Sequence, residues 1–287
     1  GRILTTFDAR QPLNIVQKGS EIHIKDSDGA ALLKVNKTML LTLKNSSVTF
    51  LLFNVNYGSG YFWAGQENRQ YRGSFEIVPG TTNFTVINIV TLEEYLYATV
   101  PGEMPASWPI EALKAQAIAA RTYAVNRINA NAQALYHIGA SVQYASYPGV
   151  SWEHPRSTQA VDETRGMILT YNGKPINAVY SSNTGGHTES SLDVWGFASA
   201  YLVPVSELIE PNDLRFPLAP VDLATWIKTK PFSYSSMPSY TPQNSYRWVR
   251  VIERTDLETV LQSKYDLGTI MQILPLRRGE AGSVYQV

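Results

Sequence analysis

An α+β fold is predicted for this sequence: a mixed or antiparallel sheet packed against two helices, with a β-rich segment ahead of them. Three observations carry that expectation. Residues 1–70 break into short apolar runs punctuated by turn signals. The stretch 91–135 carries helix starts and a helix-forming composition. Beyond it, strand-like and helical runs alternate with Pro-, Gly- and Ser-rich connections, without an internal repeat.

Taken in order, L-N-I-V (13–16), E-I-H-I-K-D-S-D-G-A-A-L-L-K-V (21–35) and S-S-V-T-F-L-L-F-N-V (46–55) read as strands, with Asp26–Gly29 as a turn. Ser74–Val78 and Asn83–Val90 form a pair joined at Pro79-Gly80. The second has apolar side chains on both faces, which predicts a central strand. Thr91-Leu92-Glu93-Glu94 is a capping box and opens a helix whose Leu92, Tyr95, Leu96 and Thr99 face the core. Pro101-Gly102 is expected to stop it. A second helix starts near Pro109 and continues through an alanine-rich run to Leu135, its small-residue face buried. From His137 to Arg165 the pattern fades into loop. Two strands follow around the Asn172-Gly173 hairpin signal. Then come a polar Gly-rich loop (183–196), a short helical patch at 222–229, a helix at 256–266 and two terminal strand-like segments. The last, 279–287, reads as a hairpin arm without a partner, so the natural chain is expected to continue.

The bulk composition narrows the function. The chain of 287 residues is 44% hydrophobic and 17% charged, an ordinary globular balance. Lys+Arg and Asp+Glu number 24 each, so the basic footprint of a nucleic-acid binder is missing and a neutral or weakly charged ligand fits better. The lack of cysteine excludes disulfides, thiolate metal sites and cysteine nucleophiles. No apolar run reaches the length of a membrane span. The sequence opens on strand-like residues rather than a signal peptide, so a mature chain with its targeting segment removed is expected. G-x-S-x-G, S-x-x-K, H-E-x-x-H and P-loop motifs are absent. A metal site at His137, Glu153 and His154 is conceivable, but scattered histidines are more often surface or hydrogen-bonded groups.

Two stretches carry candidate chemistry. Glu103 sits between two helices in a segment stiffened by Pro101, Pro105 and Pro109, with Met104 and Trp108 beside it. If apolar side chains cover it, desolvation outweighs the distant helix N-terminus, raises its pKa and makes it a general acid. The competing reading is a solvated or cap-bonding glutamate. In the second stretch, Gly185-Gly186 permits positive φ and close backbone approach, while Ser181, Ser182, Thr184, His187 and Glu189 offer groups suited to sugar hydroxyls. A plain polar hairpin end is the alternative.

The runs Val90–Val125, Ser157–Gly196 and Tyr201–Val205 resemble the SpoIID/LytB family of stage II sporulation protein D and the amidase enhancers, a likeness extending from Tyr71 to Val205. It implies two regions, a β-rich N-terminal segment (1–70) and a SpoIID-like catalytic core (71–287), in an extracytoplasmic cell-wall protein. It further implies a lytic transglycosylase that cuts peptidoglycan glycan strands already free of peptides. The glutamate of the family's E-M-P motif falls on Glu103, which would protonate the glycosidic oxygen and then take the proton of the muramic C6 hydroxyl, closing a 1,6-anhydro ring without metal or cofactor. Substrate-binding roles are implied for Arg121, Tyr123, Gln143, Tyr144, Tyr180, Ser181, Ser182, Gly185, Gly186, His187 and Glu189. Arg121 is equally explained as the partner of a carboxylate, and Gln143-Tyr144 departs from the family's usual S-Q-V-Y order. Some relatives hold zinc through cysteines that this chain lacks, so no metal is implied. A cleft is expected between the Glu103 and Gly185-Gly186 loops. The rival function is an amidase enhancer that binds glycan or a cell-wall amidase without cutting. A third reading is two-carboxylate hydrolysis with Glu189 or Asp193 as partner.

Overall fold

The computed structural model describes residues 5–7, 11–45, 47–140, 143–209, 213–237, 239–241 and 243–287. Parts of the readings over the opening stretch, the 46–55 strand and the segment before Gln143 fall at 1–4, 8–10, 46 and 141–142, outside the described residues. The fold is α+β, and the chain divides into two compact units, Gly1–Val179 and Tyr180–Val287.

In the first unit, β1 (Asn14–Lys18), β2 (Glu21–Lys25) and β3 (Ala31–Val35) form an antiparallel sheet in chain order. The turn between β2 and β3 forms because the Asp26 carboxylate accepts the N–H groups of Asp28 (3.0 Å) and Ala30 (2.8 Å). A second antiparallel sheet runs β4 (Met39–Leu41), β7 (Ser74–Pro79), β8 (Phe84–Ile89). Between these strands in sequence, β5 (Phe50–Tyr57) and β6 (Gly65–Tyr71) pair as a hairpin. Ile22, Ile24, Met39, Tyr71, Phe75 and Ile77 are buried together as the core of this β region.

The expectation of a central strand at 83–90 is corrected: β7 is central and β8 is the edge. Asn88 breaks the apolar alternation. Its amide donates to the carbonyls of Arg72 (2.9 Å) and Ser74 (3.1 Å), while Val86 and Ile89 stay exposed.

Three helices follow. The capping box forms at α1 (Leu92–Glu103), with Thr91 and Glu94 exchanging side chain-to-backbone bonds. Pro101 and Gly102 do not stop α1, which ends on Glu103. The buried Thr99 and Val100 hold the last turn in place despite the missing proline donor, and the Met104 N–H closes it on the Val100 carbonyl at 2.9 Å. Helix α2 (Ile110–Ala130) ends earlier than the alanine-rich run suggests. Asn131 caps it, and its amide reaches the His137 carbonyl at 2.7 Å. The stretch 137–165, read as loop, contains α3 (Pro155–Glu163), with His154 as N-cap, proline in the first turn, and Ser157, Ala160 and Val161 buried. Near the unit's end, β9 (Thr170–Tyr171) and β10 (Lys174–Pro175) are much shorter than expected, around a turn with positive φ at Asn172 and Gly173.

Small residues let the helices approach. Ala117, Ala120 and Ala124 of α2 are buried, as are Leu96, Ala98 and Val100 of α1 and Ala160 of α3, and the three helices pack on one another. Arg121 sits among them, 1% exposed. Its guanidinium grips Glu93 bidentately (3.0 and 2.8 Å) and donates to the carbonyls of Val161 (3.0 Å) and Met167 (3.3 Å).

The second unit carries α4 (Ser191–Trp195), α5 (Pro220–Lys228), α6 (Gln243–Tyr246), α7 (Arg254–Gln262) and the pair β11 (Arg277–Arg278) and β12 (Val284–Gln286). The helical patch and the helix read at 222–229 and 256–266 are α5 and α7, whereas α4 arises in the expected loop because Ser190 caps it through the Asp193 N–H at 3.1 Å. The partner of the final hairpin arm is present, since Arg277 faces Gln286. Among the described residues no helix is long and apolar enough to cross a membrane.

Removing one half of the buried ion pair leaves the other half uncompensated, which costs about 3–5 kcal/mol. Glu93→Ala and Arg121→Ala should each lower stability by that amount in urea unfolding. Arg121→Lys should not recover it, because a single ammonium cannot reproduce the bidentate grip and the carbonyl contacts. Wild-type-like midpoints for these variants would show that the pair does not hold the three helices.

Candidate functional site

Glu103 closes α1, so its side chain hangs at the helix C-terminus, where a carboxylate meets the negative end of the helix dipole. Fold stability alone does not favour an acid there. Oε1 accepts the backbone N–H of Ser146, the bond found for this carboxylate among the described residues. Glu103 is exposed, so the apolar cover on which a desolvated acid would depend is not met.

The surroundings hold that carboxylate in place. A Cβ on Gly102 would lie 2.9 Å from Ser146 Oγ and 3.2 Å from Pro148 Cδ, so the missing side chain lets the 146–148 backbone lie against the helix end. Gly149 has φ +92°, and a Cβ there would come within 2.2 Å of the Gln70 carbonyl oxygen. These two glycines fix the run that presents the Ser146 N–H. Ahead of α2, Arg156 bonds the carbonyls of Ala106 (2.9 Å) and Trp108 (2.8 Å), clamping the loop that follows Glu103.

Behind the acid lies a tyrosine cluster. Tyr147 packs on Tyr95 and Tyr71, with centroids 4.9 and 5.5 Å apart, and donates to Asn88 Oδ1 at 2.7 Å. Burial pushes the Tyr95 hydroxyl up to about 12, with the nearby Tyr123 and Glu103 adding to the rise. Burial also pushes Tyr147 up, reinforced by Tyr71 and Tyr95. The Tyr95 hydroxyl has no hydrogen-bond acceptor in good geometry among the described residues. Tyr123 and the half-buried Tyr144 flank the Arg127 guanidinium, 5.7 and 5.6 Å from their ring centroids. Gln143 is exposed.

Several expected site residues turn out otherwise. Arg121 is not a substrate contact, because its guanidinium is buried and occupied by Glu93 and main-chain carbonyls. Tyr180, Ser181, Ser182, Gly185, Gly186, His187 and Glu189 belong to the second unit, whereas Glu103, Tyr123, Gln143 and Tyr144 belong to the first. Gly185 and Gly186 have the anticipated positive φ, but the close approach they allow is to the unit's own side chains. A Cβ on Gly186 would lie 2.6 Å from the Tyr246 hydroxyl and 3.1 Å from Trp226, and the Gly185 carbonyl accepts Arg247 at 2.7 Å. His187 is 5% exposed, its Nδ1 2.7 Å from the Thr188 carbonyl and its ring 4.0 Å from Phe216. Both Glu189 carboxylate oxygens are shut in beside Gly279. Ser181 and Ser182 are exposed, and Tyr180 is half-buried. Asp193 accepts the Ser190 hydroxyl within the α4 cap at 2.8 Å.

Glu153, floated as a metal ligand, instead holds Arg72 bidentately at 2.8 and 2.7 Å. Among the described residues no cluster of His, Cys, Asp and Glu is placed to hold a metal ion. Sequence reasoning missed Ser146, Arg156 and Tyr95 as the surroundings of the acid. The one available signal was the P-G pair at 148–149, which marks a tight backbone approach.

With this geometry in view, comparison with known proteins shows what the chain resembles. Residues 80–171, the stretch from the end of β7 through Tyr171, match the SpoIID family, described as stage II sporulation protein. The individual relatives are consistent. The chain is 41% identical over 134 residues to an uncharacterized protein of Brachyspira hyodysenteriae, covering 46% of this chain and 36% of that protein. It is 34% identical over 180 residues to the amidase enhancer of Bacillus subtilis (60% of this chain, 24% of that protein). It is 40% identical over 152 residues to stage II sporulation protein D of Bacillus subtilis (48% and 43%). The chain thus spans less than half the length of the curated relatives it matches.

Two predictions follow from the packing around Glu103. Tyr95 ionises near pH 10 when unfolded and near 12 when folded. Its contribution to stability is therefore complete below pH 10 and falls through the interval up to 12, by about 1.4 kcal/mol per pH unit. Urea titrations across that interval should show the decline, and Tyr95→Phe should make it shallower, leaving the share of Tyr147. Gly149→Ala places a side chain at a left-handed φ and against the Gln70 carbonyl, so calorimetry should register a loss of about 2–3 kcal/mol.

Proposed function

We propose that this protein acts on the bacterial cell wall as a lytic transglycosylase, cutting peptidoglycan glycan strands free of peptide, with Glu103 as the single acid and base. The observation that carries the reading is the carboxylate itself. It is exposed at the end of α1, where the helix dipole opposes it, and it is positioned by the Ser146 N–H. A solvent-facing acid held by a fixed backbone donor can reach a bound glycan and keep its orientation.

In the reaction, the protonated Glu103 gives its proton to the oxygen joining N-acetylmuramic acid to N-acetylglucosamine. The C1–O bond breaks and the N-acetylglucosamine hydroxyl leaves. The muramic C6 hydroxyl attacks C1 to close the 1,6-anhydro ring, and its proton passes to the Glu103 carboxylate, which restores the acid. Neither water nor a second carboxylate enters, which distinguishes this course from two-carboxylate hydrolysis. An extracytoplasmic setting and, for the substrate-facing surface of the first unit, roles for Tyr123, Gln143 and Tyr144 complete this reading.

One observation favours a second reading. The longest of these matches, covering 60% of the chain, is to an amidase enhancer. On that reading the protein binds glycan or a wall amidase and raises the amidase's activity without cutting.

Peptide-free glycan strands incubated with wild type and Glu103→Gln, with products read by mass spectrometry, separate these possibilities. Wild type should yield 1,6-anhydromuramic ends, and the variant should lose about 100- to 10,000-fold in rate, the usual contribution of a general acid. Reducing ends would replace the mechanism with hydrolysis. Intact strands with both proteins, together with stimulation of an added amidase by both, would establish the enhancer.

A further inference from the structure

The β5–β6 hairpin carries aromatic side chains that the protein core does not use. Trp63 stacks with both Tyr57 and Tyr61, with ring centroids 6.4 and 5.3 Å away and planes within 19° and 21° of parallel. Tyr61 is 48% exposed, Trp63 41%, and Phe62 between them is fully exposed. The backbone is shaped around these rings. Gly58, at φ +59°, lies against the indole, and a Cβ there would sit 2.5 Å from its ring carbons. Gly65 lies against Tyr57 in the same way, with 2.5 Å to the phenol oxygen. Glycine at both places is what allows three rings to line up outside the core rather than inside it.

The chemistry of the hairpin narrows what those rings meet. Residues 50–64 carry no charge, and the charged side chains of β6, Glu67 and Arg69, pair at 2.8 Å, with the guanidinium 5.8 Å from the Tyr57 centroid. The patch is therefore aromatic, neutral and edged by polar groups. An anionic lipid surface would call for unpaired Lys or Arg beside the aromatics. Pyranose rings fit instead: their C–H faces pack on flat aromatic faces, and their hydroxyls meet the polar edge.

We infer that the β5–β6 hairpin is an accessory platform for a polysaccharide, on which Tyr61 and Trp63 stack sugar rings of the same peptide-free glycan. This rests on the proposed function for the identity of the polymer, while the platform lies outside the 80–171 family segment. It holds the strand by its sugar faces and takes no part in bond cleavage.

The test uses the full chain carrying Glu103→Gln, so that bound glycan is not cut. Affinity for peptide-free glycan strands is measured by calorimetry and co-sedimentation, alone and with Trp63→Ala, Trp63→Phe or Tyr61→Ala added. Circular dichroism should be unchanged in all four. Trp63→Ala should weaken binding about tenfold, and Tyr61→Ala should weaken it in the same direction. Trp63→Phe, which keeps an aromatic face, should fall between. Equal affinities for all four proteins would overturn the platform while leaving the function intact. A parent that binds no glycan would instead overturn the functional reading and the platform with it. Capture of the parent but not Trp63→Ala by anionic phosphatidylserine vesicles, with glycan binding unchanged, would reassign the patch to a membrane.

Discussion

Everything in the helical part of the first unit depends on one buried cation. Arg121 brings a full charge into a layer made largely of alanine, leucine and valine with a few hydrogen-bonded threonines and a serine, and it is tolerable only because Glu93 and a ring of main-chain oxygens surround it. Those partners come from three places in the chain: the first turn of α1, the end of α3 and the segment after it. A non-directional apolar contact could let the three elements slide past one another. A planar guanidinium with fixed donor directions cannot, because a shift in any element strands a donor or a carboxylate away from water. The arginine thereby sets the helix register, and with it the position of the residue that ends α1.

That residue is the acid. Glu103 is poorly placed for stability and well placed for use, a division familiar wherever a protein gives up local optimisation for an exposed reactive group. The load falls on the surroundings. Tyr95 and Tyr147 fill the space behind it, the clamp from Arg156 restrains the following loop, and the 146–149 run supplies the orienting donor. None of these side chains carries obvious chemistry of its own, and their joint effect is to restrict where one carboxylate can go.

The sequence conveyed the local elements well where signals were short-range. The capping box at Thr91, the Asp26 turn, the Asn172-Gly173 turn and both long helices were legible because a few adjacent residues decide them. It conveyed poorly what depends on distant partners. Helix α1 passes through Pro101-Gly102 because tertiary burial overrides the local stop signal, and β8 lies at a sheet edge although its composition suits a centre. The site divides in the same way. Glu103 stood out through its motif, but the Ser146 donor, forty-three positions further on, could not be read from spacing. The Gly185-Gly186 loop misled for a different reason. The permissive backbone was real, yet the group it admits is the unit's own tyrosine and tryptophan rather than a ligand.

The short run from Ser146 to Gly149 touches the end of α1 at one extremity and the β6 backbone at the other, each time where a side chain is missing. This ties the evolutionary freedom of separate parts of the chain together. A family member that enlarges residue 102 must shrink or shift residue 146, and one that replaces Gly149 must rebuild the strand at Gln70. Drift at any one of these sites is therefore conditional on the others. The lineage of such proteins should change them as a set or keep them as they are, while the neighbouring exposed positions diversify freely.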